Sequence, residues 1–265
     1  MPIEWLLYPV LGAVAGVLAG LLGVGGGLVL VAALALVLPS QGVPADAAMH
    51  AALATSLASV IVTAAASARA HARRGAVLWP SVAWLVPGLL LGAWFGSRFA
   101  IHLSGHSLRW FVIAYCLLAA LQLGLGWPRP SGDADAEAAA PGIGLGLCGV
   151  VIGAVSALVG IGGGSMTVPV LIWRRVTPVR AVATSSACGV AIGLAAAGGY
   201  ASATAASGMP AGSIGYVFLP AAVGITLTSL FAAPYGAKLA HRASPLLLKR
   251  IFAGFLVAMA GLLLL

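Results

Sequence analysis

Gly23-Val24-Gly25-Gly26-Gly27 lies in the middle of an apolar run from about Tyr8 to Leu38. It returns as Gly160-Ile161-Gly162-Gly163-Gly164, inside a second apolar run from about Gly142 to Trp173. A shift of 137 positions brings the two together, and 9 of the 20 pairs from Gly12 to Val31 are then identical. Three consecutive glycines make poor helix, since each costs about 1 kcal/mol relative to alanine. A helix break inside a bilayer is tolerated only where protein or a wet cavity covers the backbone. The pair therefore reads as two broken helices meeting at a site.

Outward from these motifs the chain is 62% hydrophobic and only 7% charged over 265 residues. Uncharged runs of 18 or more residues are the mark of membrane spans, so the composition is that of a polytopic helical membrane protein in contact with the lipid bilayer. No Lys or Arg precedes Arg69. The start thus lacks the basic region of a cleaved signal peptide, and the first segment is expected to stay in the mature protein. The formal charge of +8 sits in short loops between apolar segments, a pattern of membrane topology and not of nucleic-acid binding. Cys116, Cys148 and Cys188 lie in apolar segments without CxxC spacing, so neither a metal, nor a disulfide framework, nor any other cofactor is expected.

Apolar segments occupy about 8–38, 45–68, 78–100 and 107–126, and then about 142–172, 178–206, 214–240 and 246–265. The expected organisation is a first repeat over 1–126, a polar linker over 127–141 and a second repeat over 142–265. Thr55-Ser56 matches Thr184-Ser185, and Gly96-Ser97-Arg98-Phe99-Ala100 resembles Gly236-Ala237-Lys238-Leu239-Ala240. The expected fold is all-α, with two homologous halves of four segments each.

The opening segment of each half, about 31 residues, would stretch to about 46 Å as one helix, although roughly 20 residues cross a bilayer. Two arrangements fit. Eight plain crossings give parallel repeats and split the 13 Lys and Arg 9 to 4 between the two faces. Re-entrant hairpins with the glycines at their tips leave three crossings per half and make the repeats inverted. They split the same residues 11 to 2, with only Arg98 and Arg109 opposing the rest. The tendency of basic residues to stay on the cytoplasmic face favours the hairpins. Both arrangements put the N- and C-termini outside.

Gly12, Gly16 and Gly20, with counterparts Gly149, Gly153 and Ala157, form small-xxx-small ladders suited to close helix packing. The glycine triplets offer something else. Amides there and just beyond have no intrahelical partner, and the following half-helix presents its positive end. Free amides at a helix N-terminus bind anions without any charged side chain. The candidate substrate-binding residues are Gly25, Gly26, Gly27, Leu28, Thr55 and Ser56 in the first half. In the second they are Gly162, Gly163, Gly164, Ser165, Thr184 and Ser185. Ser165 and Thr167 stand where the first half has Leu28 and Leu30, so the site is expected to be asymmetric. A hydroxyl in a membrane helix can instead bond back to its own carbonyls, and for the Thr-Ser pairs both readings stand. His50 reads as an interfacial residue, and His71, His102, His106 and His241 as loop residues. Glu4, Asp46, Asp133, Asp135 and Glu137 all fall at the terminus or in loops, so no span holds a carboxylate. Cation pathways and carboxylate proton relays need intramembrane acids. The passenger is expected to be a small anion.

These residues resemble a known family. Gly16-x₃-Gly20-x₂-Gly23-Val24-Gly25-Gly26-Gly27, together with Gly153 through Gly164 and Pro169, is similar to the duplicated signature of TauE/SafE sulfite exporter-like proteins. The paired Thr-Ser positions, segment count and length agree as well. The resemblance implies a bacterial inner-membrane transporter, not an enzyme, for sulfite, sulfonates such as sulfoacetate, or related organic anions. One departure is Ala32, where the second repeat has Pro169. The expected function is a permease for small sulfur-containing anions, in the export direction. The alternatives are coupled uptake of another organic anion with His50 taking part, or a membrane assembly role.

Overall fold

The computed structural model describes residues 4–22, 26–125, 142–204, 208–242 and 245–264. Gly23, Val24, Gly25 and the linker 127–141 lie outside the described residues. The first half contains α1 (Glu4–Leu22), α2 (Gly27–Val37), α3 (Ala48–Ala72), α4 (Trp79–Ala100) and α5 (Gly105–Gly124). The second contains α6 (Ile143–Val159), α7 (Gly164–Trp173), α8 (Pro178–Ala201), α9 (Leu219–Ala240) and α10 (Pro245–Leu264). A two-residue antiparallel pair, β1 (Ser213–Ile214) with β2 (Val217–Phe218), leads into α9. The fold is an all-α membrane protein. Helices α3, α4, α5, α8 and α9 are each long and apolar enough to cross a bilayer.

The helices start and stop where the sequence supplies the chemistry. Proline stands in the first turn of α4, α8 and α9, where its missing amide costs nothing. Ser104 caps α5 by accepting from the Ser107 amide at 3.1 Å. Helix α3 runs four residues beyond the apolar segment that ends near Ala68. His71 is therefore a buried helical residue and not a loop residue, because its ring is satisfied by other helices.

Helices α3 and α8 form the buried centre. Ser67 meets Ser186, and Gly193 meets Leu57 and Ile61, so this pair runs antiparallel. Around it, each opening helix packs on the other half. Along α1, residues Tyr8, Gly12, Gly16 and Gly20 meet Gly224, Ile225, Ser229 and Ala233 of α9 in the same order. Gly88, Gly92 and Gly96 of α4 likewise meet Gly146, Val150 and Ala154 of α6. Both pairs are parallel and so close that a Cβ at Gly12, Gly20, Gly88 or Gly92 would overlap a facing carbonyl. The ladders are packing surfaces, and α1–α9 and α4–α6 hold the halves together. Trp84, Trp94, Phe95, Phe99, Trp110, Phe111, Phe231 and Tyr235 are exposed on the outer helices, as a lipid-facing surface requires.

The chain doubles back at each glycine motif. The Tyr8 hydroxyl near the start of α1 donates to Gln41 beyond the end of α2, whereas Gly26 stands against Ala15, halfway along α1. Helix α2 then lies antiparallel to α3, from Gly27 beside Ser56 to Leu38 beside Ala48. In the second half Tyr200 of α8 donates to the Ala157 carbonyl of α6 at 3.2 Å, and Gly162 lies beside Gly189. Nine of the eleven Lys and Arg side chains described lie at the end of the bundle that holds His71, and Arg98 and Arg109 lie at the other.

Replacing Gly92 with leucine should force α4 away from α6 and abolish recovery of folded, monodisperse protein in detergent. Gly124→Ala, where a Cβ meets nothing within 4 Å, should elute as the parent does.

Candidate functional site

The two hairpin tips meet near the middle of α3. Gly27 is so close to Gly160 and Ile161 that a side chain would overlap the Gly160 carbonyl. The Ser56 hydroxyl lies 2.9 Å from both the Gly27 and the Gly160 carbonyls, so its one proton serves both tips. Each half-helix starts from a left-handed glycine, Gly26 with φ 69° and Gly163 with φ 75°, with no side chain capping the amides that follow. At Gly26 the requirement is doubled, because Ala15 leaves no room for a Cβ. Leu28 and Leu30 follow, both buried. The first tip is thus packed with backbone and apolar side chains.

The second tip is polar. Ser165, in the first turn of α7, shares a hydrogen bond with the Tyr115 hydroxyl reaching in from α5. Thr167 stands one turn along from Gly163 and Gly164, fully buried, and its hydroxyl has no partner. Ser156, on the last turn of α6, is also fully buried and without a partner for its hydroxyl. That hydroxyl lies 3.3 Å from the point a Gly163 Cβ would occupy. Pro169 lacks an amide, so the Ser165 carbonyl loses its helical donor.

The Thr-Ser pairs divide by role. Thr55 accepts from the Phe218 amide and Thr184 from the Leu78 amide, each at 3.0 Å. These symmetric bonds pin the chain just ahead of α9 and α4. Ser56 joins the tips, and Ser185 is buried one residue beyond Thr184. Further along α3 a buried polar stripe follows at four-residue spacing: Ser59, Thr63, Ser67 and His71. Ser59 and Thr63 donate back to the Thr55 and Ser59 carbonyls, Thr63 also meets Ser229 at 2.8 Å, and Ser67 meets Ser186 at 3.0 Å.

The stripe ends in a histidine pair. His71 Nε2 donates to the Gly20 carbonyl and its Nδ1 accepts from His241 Nε2, both at 3.2 Å. Burial, then the Arg74 guanidinium, hold His241 below the ordinary histidine range. At the other end His50 Nε2 lies 3.0 Å from the Leu103 carbonyl and its ring packs on Tyr216. Among the described residues no group of three His, Cys, Asp or Glu could hold a metal.

The matching halves, glycine tips and helix pairing invite comparison with known transporters. Residues 8–263 match the family described as "Sulfite exporter TauE/SafE". The chain belongs to the TauE/SafE family. A probable membrane transporter protein of Haemophilus influenzae is 34% identical over 258 residues, covering 96% of each chain. Another, of Methanocaldococcus jannaschii, is 28% identical over 245 residues, covering 91% of this chain and 89% of its own. A third, of Xylella fastidiosa, is 30% identical over 176 residues, 66% of this chain and 65% of its own. No solved structure matches the chain.

Within this TauE/SafE protein Gly27 and Ser56 meet the second hairpin at Gly160 and Ile161, Gly163, Gly164 and Ser165 lie beyond that contact at the start of α7, and Thr55 and Thr184 serve neighbouring connections. Gly25 lies outside the described residues. Tyr115 and Ser156 do not stand out in the sequence, because Tyr115 is one of several polar residues on α5 and Ser156 a lone hydroxyl in an apolar helix. For Ser156 the repeat itself carries the signal, since its counterpart is Ala19.

Ser56→Ala removes the donor shared by two buried carbonyls, and an unsatisfied buried acceptor costs about 1–3 kcal/mol. The variant should unfold at lower temperature than the parent. Ser59→Ala, which loses only a bond back to its own helix, should change far less.

Proposed function

We propose that this protein is a permease of the bacterial inner membrane that exports small sulfur-containing anions such as sulfite and sulfonates. The anion is held near the midplane by the glycine-rich helix N-termini of the candidate site. The observation that carries this reading is the uncapped start of α7, buried among hydroxyls with no carboxylate in any described helix apart from Glu4 at the start of α1. Family membership supports transport as the activity and sulfur as the element.

The two halves are read as inverted repeats with 127–141 as their linker. The antiparallel α3–α8 pair and the parallel α1–α9 and α4–α6 pairs support this. With the chain reversing direction between α3 and α4 and between α8 and α9, these pairings support the reading that each helix of that set runs opposite to its counterpart. The basic end is read as cytoplasmic and the termini as outside. With the cell interior negative, expelling one negative charge gains about 2.3 kcal/mol per 100 mV, so an uncoupled path would already run outward.

Protein shown to be folded in detergent is titrated with sulfite, sulfoacetate, sulfate, lactate and taurine while thermal unfolding is followed. A ligand that binds only the folded state at 100 times its dissociation constant adds about 2.7 kcal/mol. Stabilisation by sulfite or sulfoacetate is expected, and a response to none of the five overturns the anion reading. In proteoliposomes, flux should follow an imposed potential and ignore a pH gradient. Strict dependence on the gradient would reassign the protein to coupled transport.

A further inference from the structure

The repeat offers an internal control for what each tip does. Under the 137-residue shift the backbone motif is shared, but the hydroxyl side chains at the second tip are not. Ser156 has Ala19 as its counterpart, Ser165 has Leu28, and Thr167 has Leu30. A scaffold that needed these hydroxyls for folding would need them in both halves. The first hairpin closes without them, its glycines filled by Ala15 and by the Gly160 carbonyl. The two partnerless hydroxyls, Ser156 Oγ and Thr167 Oγ1, are both fully buried and both flank the start of α7. Thr167 does not turn its hydroxyl back to the Gly163 carbonyl, which accepts the Thr167 amide at 2.8 Å. Leaving a buried hydroxyl unpaired costs free energy, so two at one helix N-terminus mark a place built to donate.

Resting on the anion reading above, we infer that the second tip coordinates the substrate. Ser156 and Thr167 donate to it beside the first free amides of α7, and the group they take is a singly charged –SO₃ headgroup. The donor type sets the charge. Every Lys and Arg on a described helix lies within six residues of a helix end, so no cation stands at the tip. Neutral donors must then replace the anion's hydration unaided. The cost of moving an ion out of water rises with the square of its charge, so a divalent oxyanion pays about fourfold more than a monovalent one. Three acceptor oxygens also suit the donor set: two amides and two hydroxyls exceed what one carboxylate in a single plane engages well. Tyr115, already bonded to Ser165, stands on the α5 side of the same turn and closes it.

The test uses full-length protein at mildly acidic pH, where sulfite is the singly charged hydrogen sulfite, with methanesulfonate, sulfite and sulfate as probes. Ser156→Ala and Thr167→Val each remove an unpaired hydroxyl without changing shape, so neither should lower the unfolding temperature of ligand-free protein. Each should weaken methanesulfonate and sulfite binding about tenfold or more, the factor equivalent to about 1.4 kcal/mol. Sulfate should stabilise neither parent nor variants. The inference is overturned if the variants bind methanesulfonate and sulfite as the parent does. It is also overturned if they unfold earlier without ligand, which would make the hydroxyls structural, or if sulfate binds as well as methanesulfonate. Gly163→Ala with Ile192→Val, compared only where it still unfolds cooperatively because φ 75° strains an alanine there, separates the two levels, Ile192 being the flexible neighbour a Cβ would strike. Loss of binding there with intact binding in Ser156→Ala and Thr167→Val leaves the anion reading standing and removes the hydroxyl assignment. A parent that binds no probe removes both.

Discussion

A broken helix in hydrocarbon must have its freed backbone covered by protein, and in this molecule one hydroxyl does much of that covering. Ser56 shares its proton between the carbonyls of Gly27 and Gly160, at the facing, buried ends of two separate helices. Lipid offers no alternative donor, so the two tips have to be brought to the same depth of the membrane. That depth is set by α3, whose antiparallel partner α8 brings Gly162 to Gly189. The opening helices follow from the same demand. A tip near mid-membrane needs a full-length neighbour to hang from, and α1 and α6 supply it by packing without side chains on α9 and α4.

Much of this was legible because glycine is informative in a membrane. The triplets mark the breaks, the ladders mark the contacts, and the 137-residue shift ties them into two halves. The distribution of Lys and Arg by itself favours doubled-back openings. What could not be read was the partner of each contact. Gly12 and Gly16 announce a close neighbour but not that it is α9, in the other half, because sequence spacing encodes a face and not what meets it.

The site was legible in position and not in chemistry. Spacing alone made Thr55 and Thr184 equal to Ser56 and Ser185 as candidates. The structure spends both threonines on amides of the chain approaching α9 and α4, a use that depends on loops folding back over α3 and α8. His71 looked like a loop residue because basic neighbours crowd it. It is buried because Gly20 and His241 satisfy both ring nitrogens, and a polar ring fully bonded inside protein is no longer an expensive one.

The deeper asymmetry lies in how the duplicated helices diverged. On α3 the residues at four-residue spacing after Thr55 are Ser59, Thr63, Ser67 and His71, whereas the matching positions of α8 are Cys188, Ile192, Ala196 and Tyr200. Backbone geometry tolerated either set, so packing alone does not explain the hydroxyls. They run from the tips toward the end that gathers the basic side chains, where Thr63 bonds to Ser229 and Ser67 to Ser186. Hydroxyls exchange such partners at small net cost, since a typical hydrogen bond contributes only about 0.5–1.5 kcal/mol over its solvated alternative. An apolar interface of the same size would resist wetting. A stripe of hydroxyls leaves α3 free of that resistance, because its bonds across the helix interface and bonds to solvent are close to balance.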